Sequence, residues 1–164
     1  MRTRERQGYD AFFRACYLPV VRTVHLVVHD RVLAEDVAQE AFYRLLKHWR
    51  TVSTYDLPEA WVRRVAIRIA VREVQRAVAR AAKERRVVVE SYDDDLPDQD
   101  LVRAVRELSP MQRTVVALYY WEDRPVVEIA EILEVSESTV KQHLHRARLR
   151  LSELMKEEVS GDAS

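Results

Sequence analysis

The stretch Pro125–Arg148, "PVVEIAEILEVSESTVKQHLHRAR", decides the fold of the C-terminal half of the chain. Small Ala130 sits between Ile129 and Leu133, where a bulky residue would hold a second helix away. Val135 plugs the turn, and Val140 and Leu144 pack back onto the first helix. This small-large-large arrangement predicts two helices at a steep angle joined by a three-residue turn, a helix-turn-helix. Ser136 caps the second helix, and Val140, Leu144, Ala147, Leu151 and Leu154 line its buried stripe. The opposite side shows Glu137, Ser138, Lys141, Gln142 and His145, with Arg146 and Arg148 further along. From residue 136 to 150, Lys141, Arg146, Arg148 and Arg150 face only Glu137, a local charge of +3 in a chain whose formal total is +0. Ser138, Lys141 and Gln142 reach base edges or phosphates in a major groove, and the later arginines suit phosphates. The competing reading is a plain antiparallel helix pair with a solvated charged face.

Working upstream, "SPMQ" is a helix start, with Ser109 as cap, Pro110 in the first position and Gln112 closing a capping box. Val115, Val116, Leu118 and Tyr119 continue that helix. Leu101, Val105 and Leu108 mark a brief one before it, and Pro125 opens a short one after it. A four-helix domain is therefore expected over residues 101–159. Before it, "SYDDDLPDQD" places Asp93, Asp94, Asp95, Asp98 and Asp100 together with no basic side chain. Like charges this dense repel, so residues 89–100 read as an acidic linker.

Residues 8–88 read almost entirely as helix. Phe12, Phe13, Tyr17, Val20, Val21, Val24 and Val28 recur at helical spacing, with a kink or break expected at Pro19. A second helix, Arg31 to Trp49, buries parts of Leu33, Val37, Ala41, Phe42, Leu45 and Leu46. Its polar side carries Asp36, Gln39, Glu40 and Tyr43 at i, i+3, i+4 and i+7, a face that repels DNA and offers acceptors to a partner's arginines. Asp56, Pro58 and Glu59 fit a capped start for a third helix running into the eighties. There Arg64, Arg68, Arg72, Arg76 and Arg80 follow at intervals of four. From Trp61 to Arg86, nine basic residues oppose only Glu73 and Glu84, a net +7. Such a stripe is costly without a polyanion. Trp49, Tyr55 and Trp61 bracket the loop at its head, either as stacking platforms for unpaired bases or as ordinary core and rim aromatics. The fold class is all-α, an N-terminal helical bundle followed by the four-helix domain.

Composition removes other classes of function. Two glycines in 164 residues argue against phosphate-cradling loops, and the one cysteine, Cys16, forms no internal disulfide. The apolar stretch Ala15 to Val28 is broken by Arg22 and His25, so neither signal peptide nor membrane span is expected. His25 and His29 stand i,i+4 but lack the glutamate of a zincin helix, so no metal, cofactor or catalytic site is expected.

Three segments together resemble the extracytoplasmic-function group of bacterial RNA polymerase sigma factors, in the sigma-70 superfamily: "LAEDVAQEAFYRLLKHW" (33–49), "PEAWVRRVAIRIAV" (58–71), and "LSPMQRTVVALYY" with "VVEIAEILEVSESTVKQHLHRARLRL". The resemblance covers nearly the whole chain. It implies a cytoplasmic, non-enzymatic promoter-recognition subunit. Asp36, Gln39, Glu40 and Tyr43 would dock on the β′ clamp helices of core RNA polymerase. Trp49, Tyr55, Trp61, Arg64, Arg68, Arg72 and Arg76, with the loop 50–57, would hold the non-template strand of the −10 element. The second domain would dock on the β flap and read the −35 element through Ser136, Ser138, Thr139, Lys141, Gln142, His145, Arg146 and Arg148. An anti-sigma factor is a frequent partner in this family; a membrane is not. The alternative is a sigma-like regulator that docks on polymerase without reading promoters. Arg68 and Arg72 stand where the family commonly has asparagine and an acidic residue, and Arg124, Pro125 and Glu134 replace glycine-containing turns.

Overall fold

A computed structural model describes residues 3–84 and 99–161, with side chains from 103 through 157 in the second stretch. Most of the acidic linker, 89–98, lies outside the described residues. Every regular element described is helical. The chain divides into two compact units, residues 1–73 and 74–164, with the division inside the third helix.

In the first unit, α1 (Thr3–Val28) and α2 (Arg31–Val52) form an antiparallel hairpin. The turn between them is only His29 and Asp30. His29 takes φ 54°, and its N–H closes on the His25 carbonyl at 2.9 Å. Asp30 is the N-cap, its carboxylate accepting from the Leu33 N–H at 2.9 Å. At the open end, Tyr9 Oη donates to the Phe42 carbonyl at 2.8 Å, and Trp49 Nε1 donates to the Glu5 carbonyl at 3.1 Å. Between these anchors Tyr9, Phe12, Phe13, Tyr17, Phe42 and Trp49 stack in one aromatic cluster, with centroids 4.8 to 6.3 Å apart. Val20, Val24, Val27, Ala34, Val37, Ala41 and Leu45 continue the core toward the turn. By length and apolarity alone α1 would pass for a membrane span. Here that apolarity packs it along α2.

Of the kink or break expected at Pro19, the break does not occur, and α1 runs on through it. Pro19 is exposed, as is Ala15, whose carbonyl would have received its N–H, so water can take the missing donor's place. Leu46, expected to be buried only in part, is 38% exposed. The third helix, α3 (Pro58–Glu84), begins with proline in its first turn, which leaves Leu57 rather than Asp56 immediately before it. Val62, Ala66, Ile67, Ala70 and Val71 form its buried stripe. The His48 and Trp61 rings meet at 5.9 Å, which sets the head of α3 beside α2.

The second unit contains α4 (Gln99–Arg106), α5 (Pro110–Val116), α6 (Val126–Leu133) and α7 (Glu137–Gly161). α4 thus takes in Gln99 and Asp100, the last two residues of the expected linker. α7 is the spine against which α4, α5 and α6 pack. Leu108, Val115, Leu118, Ile129, Leu133, Val140, Leu144 and Ala147 fill the core. The capping box at Ser109 forms in full, with Gln112 N–H on Ser109 Oγ at 3.3 Å and Ser109 N–H on Gln112 Oε1 at 3.2 Å. Beyond Val116 the helix widens into a π-turn, Ala117–Trp121. Glu134, Val135 and Ser136 separate α6 from α7, the expected three-residue turn, and Glu134 is left-handed at φ 57°, ψ 41°.

Candidate nucleic-acid and partner interfaces

Three exposed surfaces of different chemistry lie on three helices. On α2, Asp36, Gln39 and Tyr43 are exposed along one side, because Val37, Ala38, Ala41, Phe42 and Leu45 turn the other side inward. Glu40 is half-buried and already paired, its carboxylate taking Arg44 Nε at 2.7 Å. Tyr43 is 54% exposed and lies beneath the Lys47 ammonium, 4.3 Å from its ring centre. Val32 and Leu46, both exposed, extend this face at either end. The 4-3-4-3 spacing of Val32, Asp36, Gln39, Tyr43 and Leu46 carried that signal in the sequence, but an apolar residue on an amphipathic helix is read by default as core.

On α3, Arg64, Arg68, Arg72 and Arg76 are all exposed, opposite the buried stripe of the same helix. The connection before it is shorter than the expected 50–57. Arg50 to Val52 form the last turn of α2, closed by Ser53 N–H on the Trp49 carbonyl at 2.8 Å and Thr54 Oγ1 on the Thr51 carbonyl at 2.7 Å. Tyr55 and Leu57 are exposed in what remains, and Trp61 is half-buried against His48. Trp49 stands apart from the other two aromatics. It is 8% exposed, T-shaped to Tyr9, and its N–H is taken by Glu5, so its ring belongs to the core of the α1–α2 hairpin.

On α7, Ser138, Lys141, Gln142, His145, Arg146 and Arg148 are exposed. Ser136 has a structural task at the helix start. Its Oγ accepts from the Thr139 N–H at 3.2 Å and lies 2.9 Å from both the Ser138 and Thr139 hydroxyls, leaving Thr139 half-buried. Arg148 is held from outside its helix: Nε donates to the Tyr120 hydroxyl at 2.7 Å. From sequence, Tyr119 reads only as a continuation of the α5 helix, and Tyr120 has no assigned role. His143 is half-buried between the outer face and the core. Burial first, then the nearby Arg146, push its imidazole below the usual histidine range. Among the described residues no group of three or more His, Cys, Asp or Glu gathers to hold a metal.

These surfaces coincide with two family models, "Sigma-70 region 2" over residues 12–83 and "Sigma-70, region 4" over residues 98–151. The RNA polymerase sigma-E factor of Streptomyces coelicolor is 34% identical over 150 residues, covering 88% of this chain and 84% of that protein. The ECF RNA polymerase sigma factor SigW of Bacillus subtilis is 25% identical over 169 residues, 90% of this chain and 84% of its own. The chain is a sigma-70 family member of the extracytoplasmic-function group. As a sigma factor it directs RNA polymerase to promoters, a regulatory rather than a catalytic task. Its fold also matches the sigma factor RpoE solved in complex with the anti-sigma factor NepR from Bartonella quintana, with a TM-score of 0.63 at 21% identity over 92% of this chain and 98% of that one.

Proposed function

We propose that this sigma factor divides its work among the three surfaces. The α2 face, Asp36, Gln39, Glu40 and Tyr43, docks on the β′ clamp helices, where its acceptors meet a basic partner. Arg64, Arg68, Arg72 and Arg76, with Tyr55 and Trp61, hold the non-template strand of the −10 element. Trp49 supports that loop from the core. The second unit docks on the β flap and sets α7 in the −35 major groove, with Ser138, Lys141, Gln142 and His145 toward base edges, Arg146 and Arg148 toward phosphates, and Ser136 and Thr139 fixing the helix start. The functional boundaries inferred are 8–88 and 101–159 with 89–100 between them, the last two residues of which already belong to α4.

The observation that carries the reading is chemical segregation. A carboxylate-bearing face, an arginine stripe and a capped basic helix-turn-helix lie on separate helices, as three different contacts in one complex require. Core polymerase is cytoplasmic, which places this protein there. The partner of RpoE supports an anti-sigma factor as a second class of partner for this chain. Runoff transcription with core polymerase on a genomic promoter library tests the whole assignment. Start sites sharing two spaced elements are expected, and initiation independent of one element would remove the surface assigned to it.

A further inference from the structure

Between Ala117 and Trp121 the backbone winds wider than an α-helix, and the Glu122 N–H reaches back five residues to the Ala117 carbonyl at 3.2 Å. One extra residue in a turn rotates the side chains beyond it by about 100° relative to an unbroken helix. Within this wide turn two successive tyrosines bear on one guanidinium. The Tyr119 and Tyr120 rings meet edge to face, 5.0 Å between centroids and 80° between planes. Arg148 Cζ stands 5.7 Å from each ring centre. The 2.7 Å hydrogen bond from Nε to the Tyr120 hydroxyl fixes the guanidinium's rotation as well as its position.

The location of Arg148 makes this contact possible. Val140, Leu144 and Ala147 form the buried stripe of α7, and Arg148 follows Ala147 directly, at the margin between that stripe and the outer face. An unrestrained arginine loses much rotamer freedom when it settles on a phosphate, and an arginine already clamped loses less. A guanidinium carries five N–H donors, so a hydroxyl on Nε does not exhaust it.

We propose that Tyr120 is a positioning residue for duplex binding: its hydroxyl holds Arg148 in the orientation that meets a DNA phosphate, without itself touching DNA. The proposal rests on the reading of α7 as the helix that binds the −35 duplex. A phosphate contact carries no sequence information, so its loss acts on all duplexes alike.

The test uses holoenzyme reconstituted from core RNA polymerase with the unmodified protein, Tyr120→Phe, Arg148→Ala or the double variant. The probes are a −35 duplex enriched from a random pool by the unmodified holoenzyme and its scrambled counterpart. Tyr120→Phe keeps both rings and removes one hydroxyl. It should weaken binding to both duplexes equally, roughly 3- to 10-fold, as expected for one hydrogen bond. Arg148→Ala should lower the slope of log affinity against log salt by about 1. The double variant should bind no more weakly than Arg148→Ala alone, whereas a purely structural Tyr120 would add its loss and leave the salt slope unmoved. Additive losses, or a loss confined to the enriched duplex, overturn the proposal. So does an unaffected Tyr120→Phe beside a weakened Arg148→Ala, which leaves the reading of α7 standing. An Arg148→Ala variant that binds both duplexes normally removes the phosphate contact itself, and the proposal with it.

Discussion

Glu134 holds a left-handed backbone at φ 57°, ψ 41°, in the turn on which the helix-turn-helix depends. This conformation costs a side-chain-bearing residue roughly 1 kcal/mol. Glu134→Gly should therefore raise stability by about 1 kcal/mol in chemical denaturation; an unchanged midpoint would mean that the glutamate side chain offsets its strain. That position was legible in the sequence because the turn geometry leaves one backbone conformation for it. Trp49 and Leu46 were not legible in the same way. An aromatic or leucine at a helical position is compatible with core and surface alike, and which applies depends on how the neighbouring helix crosses. His143 adds a pH dependence. Its folded imidazole resists protonation, so between its ordinary value of 6.5 and its lowered folded value the unfolded chain binds more protons. Stability contributed at this position is full above pH 6.5 and declines as pH falls below it. His143→Gln should flatten that part of the curve of melting temperature against pH, and identical curves would show that burial of the ring has no energetic consequence.

At the scale of elements, amphipathic period and caps carried most of the information. The capping box at Ser109 and the three-residue turn form as read, and the stripe of α7 buries Val140, Leu144 and Ala147 fully and Leu151 and Leu154 in part. Those signals are local, and local geometry satisfies them. The π-turn had no such signal: "ALYYW" contains no proline or glycine, and the extra residue is visible only in its hydrogen bonds. Pro19 makes no break in α1, a strong local signal overridden where solvent can reach the unpaired carbonyl. The α2 face yields a direct test. Reversing charge with Asp36→Lys and Glu40→Lys should leave the circular dichroism spectrum near that of the unmodified protein while sharply reducing capture of core polymerase, since attraction at the interface becomes repulsion. Capture at the unmodified level would remove α2 as the docking helix. Glu40 is expected to have the smaller separate effect, because the carboxylate must leave Arg44 to reach a partner.

For the whole molecule, two charge fields of the same sign sit on different helices, α3 and α7. If, as proposed, the α3 stripe holds a strand that has left the duplex, it should matter most where DNA must open. Arg68→Ala with Arg72→Ala should cut transcription severalfold or more on duplex promoters and much less on a template carrying a pre-formed −10 bubble. Equal mutant-to-native ratios on both templates at one salt concentration would reduce the stripe to a general anchor. The order of the halves and the position of each surface along the chain were readable, because separate helical signatures occur in sequence. The division of units inside α3 was not readable, since an unbroken helix carries no boundary in its pattern.

The three tryptophans give the protein a built-in optical record of its own occupancy. Trp49 is sealed in the first unit, Trp61 is half-buried at the head of α3, and Trp121 is 45% exposed beside the tyrosine pair that holds Arg148. Trp49 should emit to the blue and ignore iodide, while Trp121 should emit to the red and be quenched. A variant retaining only Trp121 would report contacts near the end of the π-turn as a change in quenching. One retaining only Trp49 would stay constant until the first unit unfolds. Assembly and unfolding can thus be followed in one cuvette with no dye attached.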